Sequence, residues 1–253
     1  GAVNIGGSWI GSLTSVSQDD GYWVKVSEFT TLSLTDAEPV NYDADGEVNY
    51  AIAYGNNLIS YPFQASQSLE DGLGDAAANV YAIASEGVAA LAINGTFVGS
   101  LTDFAGGNGY WLVSTADFDF TFNGVESGLT RSDVAHTRKV EDKQFAYSQS
   151  DQQAFFFVQN ATIHGKALEI DDIVIAYNGD VVVGSRYWNG ELTDIPAIGV
   201  DSQGSEKFAD YCEVGDKVSF KVFDDSTGEL VEMDADGDIE WSAMGISVIS
   251  LTD

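Results

Sequence analysis

The sequence predicts an all-β protein, with tandem small β-modules followed by an Ig-like β-sandwich. Apolar and polar residues alternate with period two in short segments, as in Phe118-Asp119-Phe120-Thr121-Phe122 and Val218-Ser219-Phe220-Lys221-Val222. Such segments bury one face and wet the other. Three prolines against 27 glycines suit many short strands joined by turns. A block of sequence also recurs in register. Ile5-Gly6-Gly7-Ser8-Trp9-Ile10-Gly11-Ser12-Leu13-Thr14 matches Ile93-Asn94-Gly95-Thr96-Phe97-Val98-Gly99-Ser100-Leu101-Thr102. Gly21-Tyr22-Trp23 and Gly109-Tyr110-Trp111 follow at the same offset. Repetition at a constant offset marks modular arrays, which bind, space and assemble more often than they catalyse.

In chain order, residues 1–34 read as the second half of a repeat module, with Trp9, Tyr22, Trp23 and Leu32 available for burial. Residues 35–56 read as a linker. It holds Asp43-Ala44-Asp45-Gly46-Glu47, which is echoed near the end by Asp234-Ala235-Asp236-Gly237-Asp238. Residues 57–125 form a full module. Within it a helix is expected from Ser68 to about Ala84, with Ser68 as cap, Asp71 three residues on, and Leu69, Leu73 and Ala77 as its apolar stripe.

Residues 126–143 read as a basic linker, because Arg131, Arg138, Lys139 and Lys143 fall there. It is either a solvated connection or a docking patch for an acidic neighbour. Residues 144–253 form the Ig-like sandwich. Its clearest hairpin joins 173–177 to 181–184 through Asn178-Gly179-Asp180, since Asn-Gly readily takes positive φ. His164-Gly165 and Ser226-Thr227-Gly228 read as further turns.

Forty acidic against ten basic residues give a net charge of −30 and a pI near 4.1. Such a surface repels phosphate backbones and anionic lipid, so neither a nucleic-acid partner nor membrane insertion is expected. Solubility in a salty medium and divalent-cation binding both account for the charge. The 44% hydrophobic fraction is that of a folded chain, not of an acidic tail. Cys212 is the only cysteine, so no intrachain disulfide forms. No apolar run approaches the roughly 18 residues of a spanning helix. The start at Gly1 fits a trimmed or mature product.

Catalysis is not expected. The two histidines, His136 and His164, lie in the basic linker and a turn, outside any nucleophile–base context. Cys212 has no basic neighbour to activate it. No phosphate-cradling motif is present, and two His and one Cys so placed do not make a zinc site.

Two surfaces remain as candidates. Asp234, Asp236 and Asp238 put oxygen ligands on alternate residues, as Asp43, Asp45 and Glu47 do, and hard cations such as Ca²⁺ take that ligand type. Asp-Ala-Asp-Gly equally suits a plain turn. Ca²⁺ is the one cofactor the sequence suggests. Among the tryptophans, Trp9 aligns with Phe97 and Trp23 with Trp111, which fits core packing in both copies. Trp188, after Tyr187, belongs to no repeat, and this pair is the exposed ligand-binding candidate for a cell-surface glycan.

Asn57-Leu58-Ile59-Ser60-Tyr61-Pro62-Phe63, residues 93–102 and Gly109-Tyr110-Trp111 together resemble a repeated module of marine bacterial surface proteins. Similar modules occur in virion proteins of contractile-tailed cyanophages. The third unit resembles the module that often follows, through Phe145-Ala146-Tyr147-Ser148-Gln149-Ser150, Gln152-Gln153-Ala154-Phe155-Phe156-Phe157 and Asn178-Gly179-Asp180-Val181-Val182-Val183-Gly184. The resemblance covers about three quarters of the chain. It implies extracellular or virion-surface structure, brings no catalytic residues with it, and separates neither host from phage nor fibre from capsid; the preferred expectation is a non-enzymatic virion structural protein (a fibre, tail or head-surface subunit). The alternative is a secreted bacterial adhesion module that binds glycans; an accessory domain of a hydrolase is a third class. Where relatives often carry cysteine this chain has Val183, so a disulfide seen there does not carry over.

A half-module cannot cover its own strands. The repeat therefore predicts completion by residues upstream, by the C-terminal strand carrying Val248, Ile249 and Leu251, or by a neighbouring subunit in a homo-oligomer or larger assembly, the last being preferred.

Overall fold

The structure, a computed structural model, describes residues 1–17, 19–26, 31, 48–125 and 138–253. Leu32, most of the 35–56 stretch with its acidic triplet, Arg131 and His136 lie outside the described residues.

Strands β1 (Ala2–Ile5) and β2 (Ser8–Gly11) make a hairpin. The module comprises β3 (Tyr50–Ile52), β4 (Gly55–Ser60), β5 (Gln67–Ser68), α1 (Leu69–Leu73), β6 (Val80–Ser85), β7 (Val88–Ile93), β8 (Thr96–Gly99), β9 (Asp103–Phe104), β10 (Gly109–Ser114) and β11 (Phe118–Phe120). Its antiparallel sheet runs in the order β4-β10-β6-β7-β8, with the ribbons β3–β11 and β5–β9 beside it. Aromatic rings fill the space between. Phe104 and Phe122 meet edge to face at 5.0 Å, and Phe104 also stacks on Tyr61 at 5.5 Å. Such pairs add to simple area burial.

Two expectations change here. The module begins before residue 57, because Val48, Tyr50 and Ile52 are core residues. The helix is much shorter than 68–84. Ser68 does cap it, accepting from the Asp71 amide at 3.0 Å, but α1 ends at Leu73. Gly74, at φ 52°, turns the chain out of the helix, a 3-10 segment follows, and Val80–Ser85 becomes a central strand. The apolar residues that continue the helical stripe are the same ones that a two-sided central strand needs.

The third unit comprises β12 (Gln153–Ile163), β13 (Lys166–Ala167), β14 (Ile173–Asn178), β15 (Val181–Tyr187), β16 (Thr193–Ile198), β17 (Ser219–Asp224), β18 (Glu229–Gly237) and β19 (Ile246–Thr252). These form a β-sandwich. One layer is β16-β12-β19 and the other is β15-β14-β17. β18 serves both layers: its first residues pair with β17 and its last with β19. A long strand that changes sheets closes one corner of the sandwich. Phe156, Val158, Ile195, Ile249 and Leu251 from one layer meet Val174, Val222 and Phe220 from the other.

The opposite corner needs a glycine. A Cβ on Gly184 would stand 1.6 Å from the Pro196 carbonyl oxygen, so β15 approaches β16 only without a side chain there. The turns fall where the sequence places them, with Gly179, Gly165 and Gly228 all at positive φ. On the outer face of β14, Val140 and Phe145 cover Ile173, Ile175 and Tyr177, so the chain before residue 150 belongs to the sandwich wall.

Module and sandwich share a core of their own. Ala82, Ala84, Ala89 and Leu91 of β6 and β7 pack on Phe155 and Phe157 of β12, with Ile246 and Val248 of β19 beside them.

Candidate functional site

The repeat is visible in three dimensions down to single hydrogen bonds. β1 and β2 pair as Ala2↔Gly11, Val3↔Ile10, Asn4↔Trp9 and Ile5↔Ser8. β7 and β8 pair as Ala90↔Gly99, Leu91↔Val98, Ala92↔Phe97 and Ile93↔Thr96, the same register at the repeat offset. Each hairpin turns through two residues of positive φ, Gly6-Gly7 and Asn94-Gly95. Beyond the hairpin, the Leu13 amide donates to the Gly1 carbonyl at 3.2 Å, as Leu101 does to Ala89 at 3.0 Å. The Ser17 amide donates to the Tyr22 hydroxyl at 2.8 Å, as Ala105 does to Tyr110 at 2.7 Å.

Their surroundings differ. Leu91, Ile93 and Val98 pack against the sandwich, and Ala90 and Phe97 against the module core. The matching residues of the first copy, Val3, Ile5, Ile10 and Trp9, are open to solvent, Trp9 at 70%. The expectation that Trp9 and Trp23 are core residues is not met among the described residues, where no element covers them as β6, the module core and the sandwich cover the second copy. Beyond the hairpin the first copy is anchored. The Gly21 amide donates to the Leu58 carbonyl at 3.1 Å, on the β4 edge that β10 leaves free. Lys25 pairs with Asp201 and reaches Ser205 at 3.2 Å.

A second constellation joins module to sandwich. Asp194 on β16 is buried, and its carboxylate accepts four hydrogen bonds. The Ser100 amide donates at 2.8 Å, the Ser100 hydroxyl at 2.6 Å, the Ala89 amide at 3.3 Å, and Arg186 Nη2 at 3.1 Å. Arg186 also donates to the Gly87 carbonyl at 2.6 Å. Gln153 adds two bonds, donating to Ser85 O at 2.9 Å and accepting from the Gly87 amide at 3.1 Å. Burial pushes the Asp194 carboxyl above its ordinary range, opposed by Arg186 and by the bonds from Ser100. A buried charge with its partners in place holds geometry; without them it is costly.

Beside this cluster lies a cleft of about 390 Å³, lined by Ser100, Thr102, Arg138, Tyr187, Trp188 and Asn189 among others. Trp188 is not the exposed platform expected of it. It is 7% exposed and belongs to the sandwich core, its amide donating to the Asp172 carbonyl at 2.8 Å. Tyr187 is half-buried, and the Arg138 guanidinium stands 3.8 Å over its ring. The cleft offers polar groups around these aromatics, not a bare stacking face.

The acidic triplet is placed differently from a metal loop. Asp234 and Asp236 lie within β18, paired with Thr252 and Ser250, and Asp238 accepts from the Glu240 amide at 3.0 Å in the turn that follows. Among the described residues no three His, Cys, Asp or Glu side chains converge as a metal cage. Cys212 is buried, and burial pushes its thiol up to about 12, so the sulfur is a small apolar group at neutral pH. His164 sits at a hairpin tip with Nδ1 2.6 Å from Asp253. No described helix is long and apolar enough to cross a membrane.

The strand that the repeat suggests as donor is already in use. β19 lies between β12 and β18, with Ile249 and Leu251 fully buried, so it does not complete the N-terminal hairpin. Comparison with protein-family models, with curated proteins and with solved structures finds no match to this chain.

Proposed function

We propose that the chain is a non-enzymatic structural subunit that assembles through its repeat, at the surface of a virion or outside the cell, in a fibre, tail or head-surface protein. The observation that carries this reading is the duplicated hairpin, covered in one copy and open in the other. An uncovered, repeat-equivalent face is what a chain that builds arrays presents to its neighbour. The joint of Arg186, Asp194 and Gln153 supports it further, since it fixes module against sandwich as a stiff spacer would require. The net charge of −30 suits exposure to salt water.

A second reading, an extracellular adhesion module that binds glycans, is favoured by the cleft at Tyr187, Trp188 and Asn189. The two are separated by immunogold labelling of phage particles and of cells with an antibody raised against the whole chain, together with a glycan array. Labelled particles with a blank array support the structural subunit. Labelled cells with array binding that Asn189→Ala weakens support the adhesin. Labelling confined to the cell interior would sink both.

A further inference from the structure

The cleft beside the Arg186–Asp194 pair holds a donor that the fold leaves unused. Trp188 is 7% exposed, and its indole N–H has no hydrogen-bond partner among the described residues. A Trp N–H buried to that degree ordinarily finds one. It is not sealed off from solvent as the Tyr50 and Tyr61 hydroxyls are, so it opens on the cleft that Trp188 lines. Two further polar groups flank it. The exposed Asn189 amide makes no side-chain hydrogen bond among the described residues. Arg138 stands over Tyr187 and gives Nη1 to Asp171, one donor of the five in its fork. Donors predominate here, and donors want acceptors.

The local charge admits an anion. Arg138 and Arg186 stand against Glu191 and Asp194 in the lining, two against two, in a chain with forty acidic residues and ten basic. Asp194 is compensated by Arg186 and by the Ser100 and Ala89 donors. Both members of the Arg138–Asp171 pair are exposed, at 61% and 55%. Such pairs are weak, so an incoming anion displaces Asp171 at little cost. Ile170, 66% exposed, and Leu192 add apolar surface for the C–H face of a ring. A volume of about 390 Å³ suits a small molecule and not a long chain. We infer that the cleft takes a single sugar residue bearing an anionic group, its carboxylate or sulfate ester set against Arg138, its hydroxyl oxygens accepting from Trp188 and Asn189. The inference rests on the adhesion reading above and names the class of glycan.

The probes are glucuronate, glucose 6-sulfate, glucose and acetate, each titrated into the full chain at low salt. The Trp188 indole resonance is followed by NMR and assigned with Trp188→Phe. At least one of the two acidic sugars shifts that resonance saturably and binds about tenfold or more tightly than glucose, the factor that one charge-assisted hydrogen bond supplies. Whichever of them binds identifies the anion. Arg138→Ala removes the preference over glucose and, because Arg138 is exposed, leaves the denaturation midpoint where it was. Glucose binding as tightly as the acidic sugars would overturn the inference and leave the adhesion reading standing. Acetate binding as tightly would overturn it too, marking a site for any small anion. A resonance that no sugar moves would also overturn it, and the glycan array then decides the adhesion reading by itself.

Discussion

The β1–β2 and β7–β8 hairpins have the same register, the same turn geometry and the same flanking hydrogen bonds, yet one is buried and the other is not. Local sequence therefore determines the shape of this element and says nothing of its burial. The energetic weight of each apolar side chain comes from what is laid against it. For the second copy that is β6, the module core and the Phe155–Phe157 face of the sandwich.

The largest effect expected from this difference comes from one substitution made in both copies. Leu91→Asp places a charge in the core shared by module and sandwich, where Leu91 is 3% exposed, and should cost about 3–5 kcal/mol or prevent folding. Val3→Asp, at the matching position and 49% exposed, should stay within about 0.5 kcal/mol. Chemical denaturation of the two variants measures both. Equal costs would mean that the N-terminal hairpin is covered in solution by the chain itself.

A smaller effect, about 3 kcal/mol, is expected at the joint that makes the two copies differ. Asp194→Ala leaves Arg186 buried beside the Gly87 carbonyl with no counter-charge. The same change frees the Ser100 amide, just after β8, and leaves the Ala89 amide of β7 with only the Ser100 hydroxyl as acceptor. Exchange at these two amides should rise in the variant while exchange in the β1–β2 hairpin stays as it was. Arg186→Met combined with Asp194→Leu should recover part of the loss, since replacing both members by apolar groups removes the desolvation cost.

The clasp between the first copy and the sandwich is weaker and depends on pH. A hydrogen bond from Lys25, and then those from Ser205, hold the Asp201 carboxyl well below the usual carboxylate range. Its folded value lies below its unfolded one, so the clasp contributes stability above the ordinary carboxylate range. That contribution is lost only as pH falls through the depressed value. Lys25→Ala should move the Asp201 titration, followed by NMR of its carboxyl carbon, up toward the ordinary range. An unmoved titration would mean that residues 19–26 do not rest on the sandwich.

Much of this fold was legible because it is local. The 173–184 hairpin, the Ser68 cap and the alternation of 218–222 each depend on neighbours in sequence and appear as expected, save that the turn is Gly179-Asp180, with Asn178 paired to Val181 as the last strand residue. The helix continued past Leu73 on paper because Leu69, Leu73 and Ala77 fit a helical stripe, whereas β6 is held as a strand by its hairpin partner β7 and, on its other edge, by β10, which is distant in sequence. The joint was illegible for the same reason. Asp194 takes its meaning from Ala89, Ser100 and Arg186, and only the oddity of charged residues inside the apolar runs of β15 and β16 points toward it. Trp188 read as exposed because it lies outside the repeat, but absence from a repeat carries no information about burial.

The smallest effect separates the two acidic segments that look alike in sequence. Asp43-Ala44-Asp45-Gly46 lies outside the described residues, whereas Asp234 and Asp236 sit on one strand, two residues or about 7 Å apart along it. A calcium ion gathers six to eight oxygens at about 2.3–2.6 Å, so two neighbouring strand carboxylates would need further ligands folded over them. Asp238, the third of the set, turns its carboxylate to the Glu240 amide instead. Binding confined to the folded state would raise stability by about 2.7 kcal/mol at a hundredfold excess over Kd. We therefore expect the unfolding of the 138–253 sandwich, followed by the emission of the buried Trp241, to be indifferent to millimolar calcium or EDTA. Asp236→Asn should leave that indifference unchanged. A calcium-dependent rise in its unfolding temperature that Asp236→Asn removes would show that the strand carboxylates bind the ion after all. A rise that survives the substitution would place the ion elsewhere in the chain.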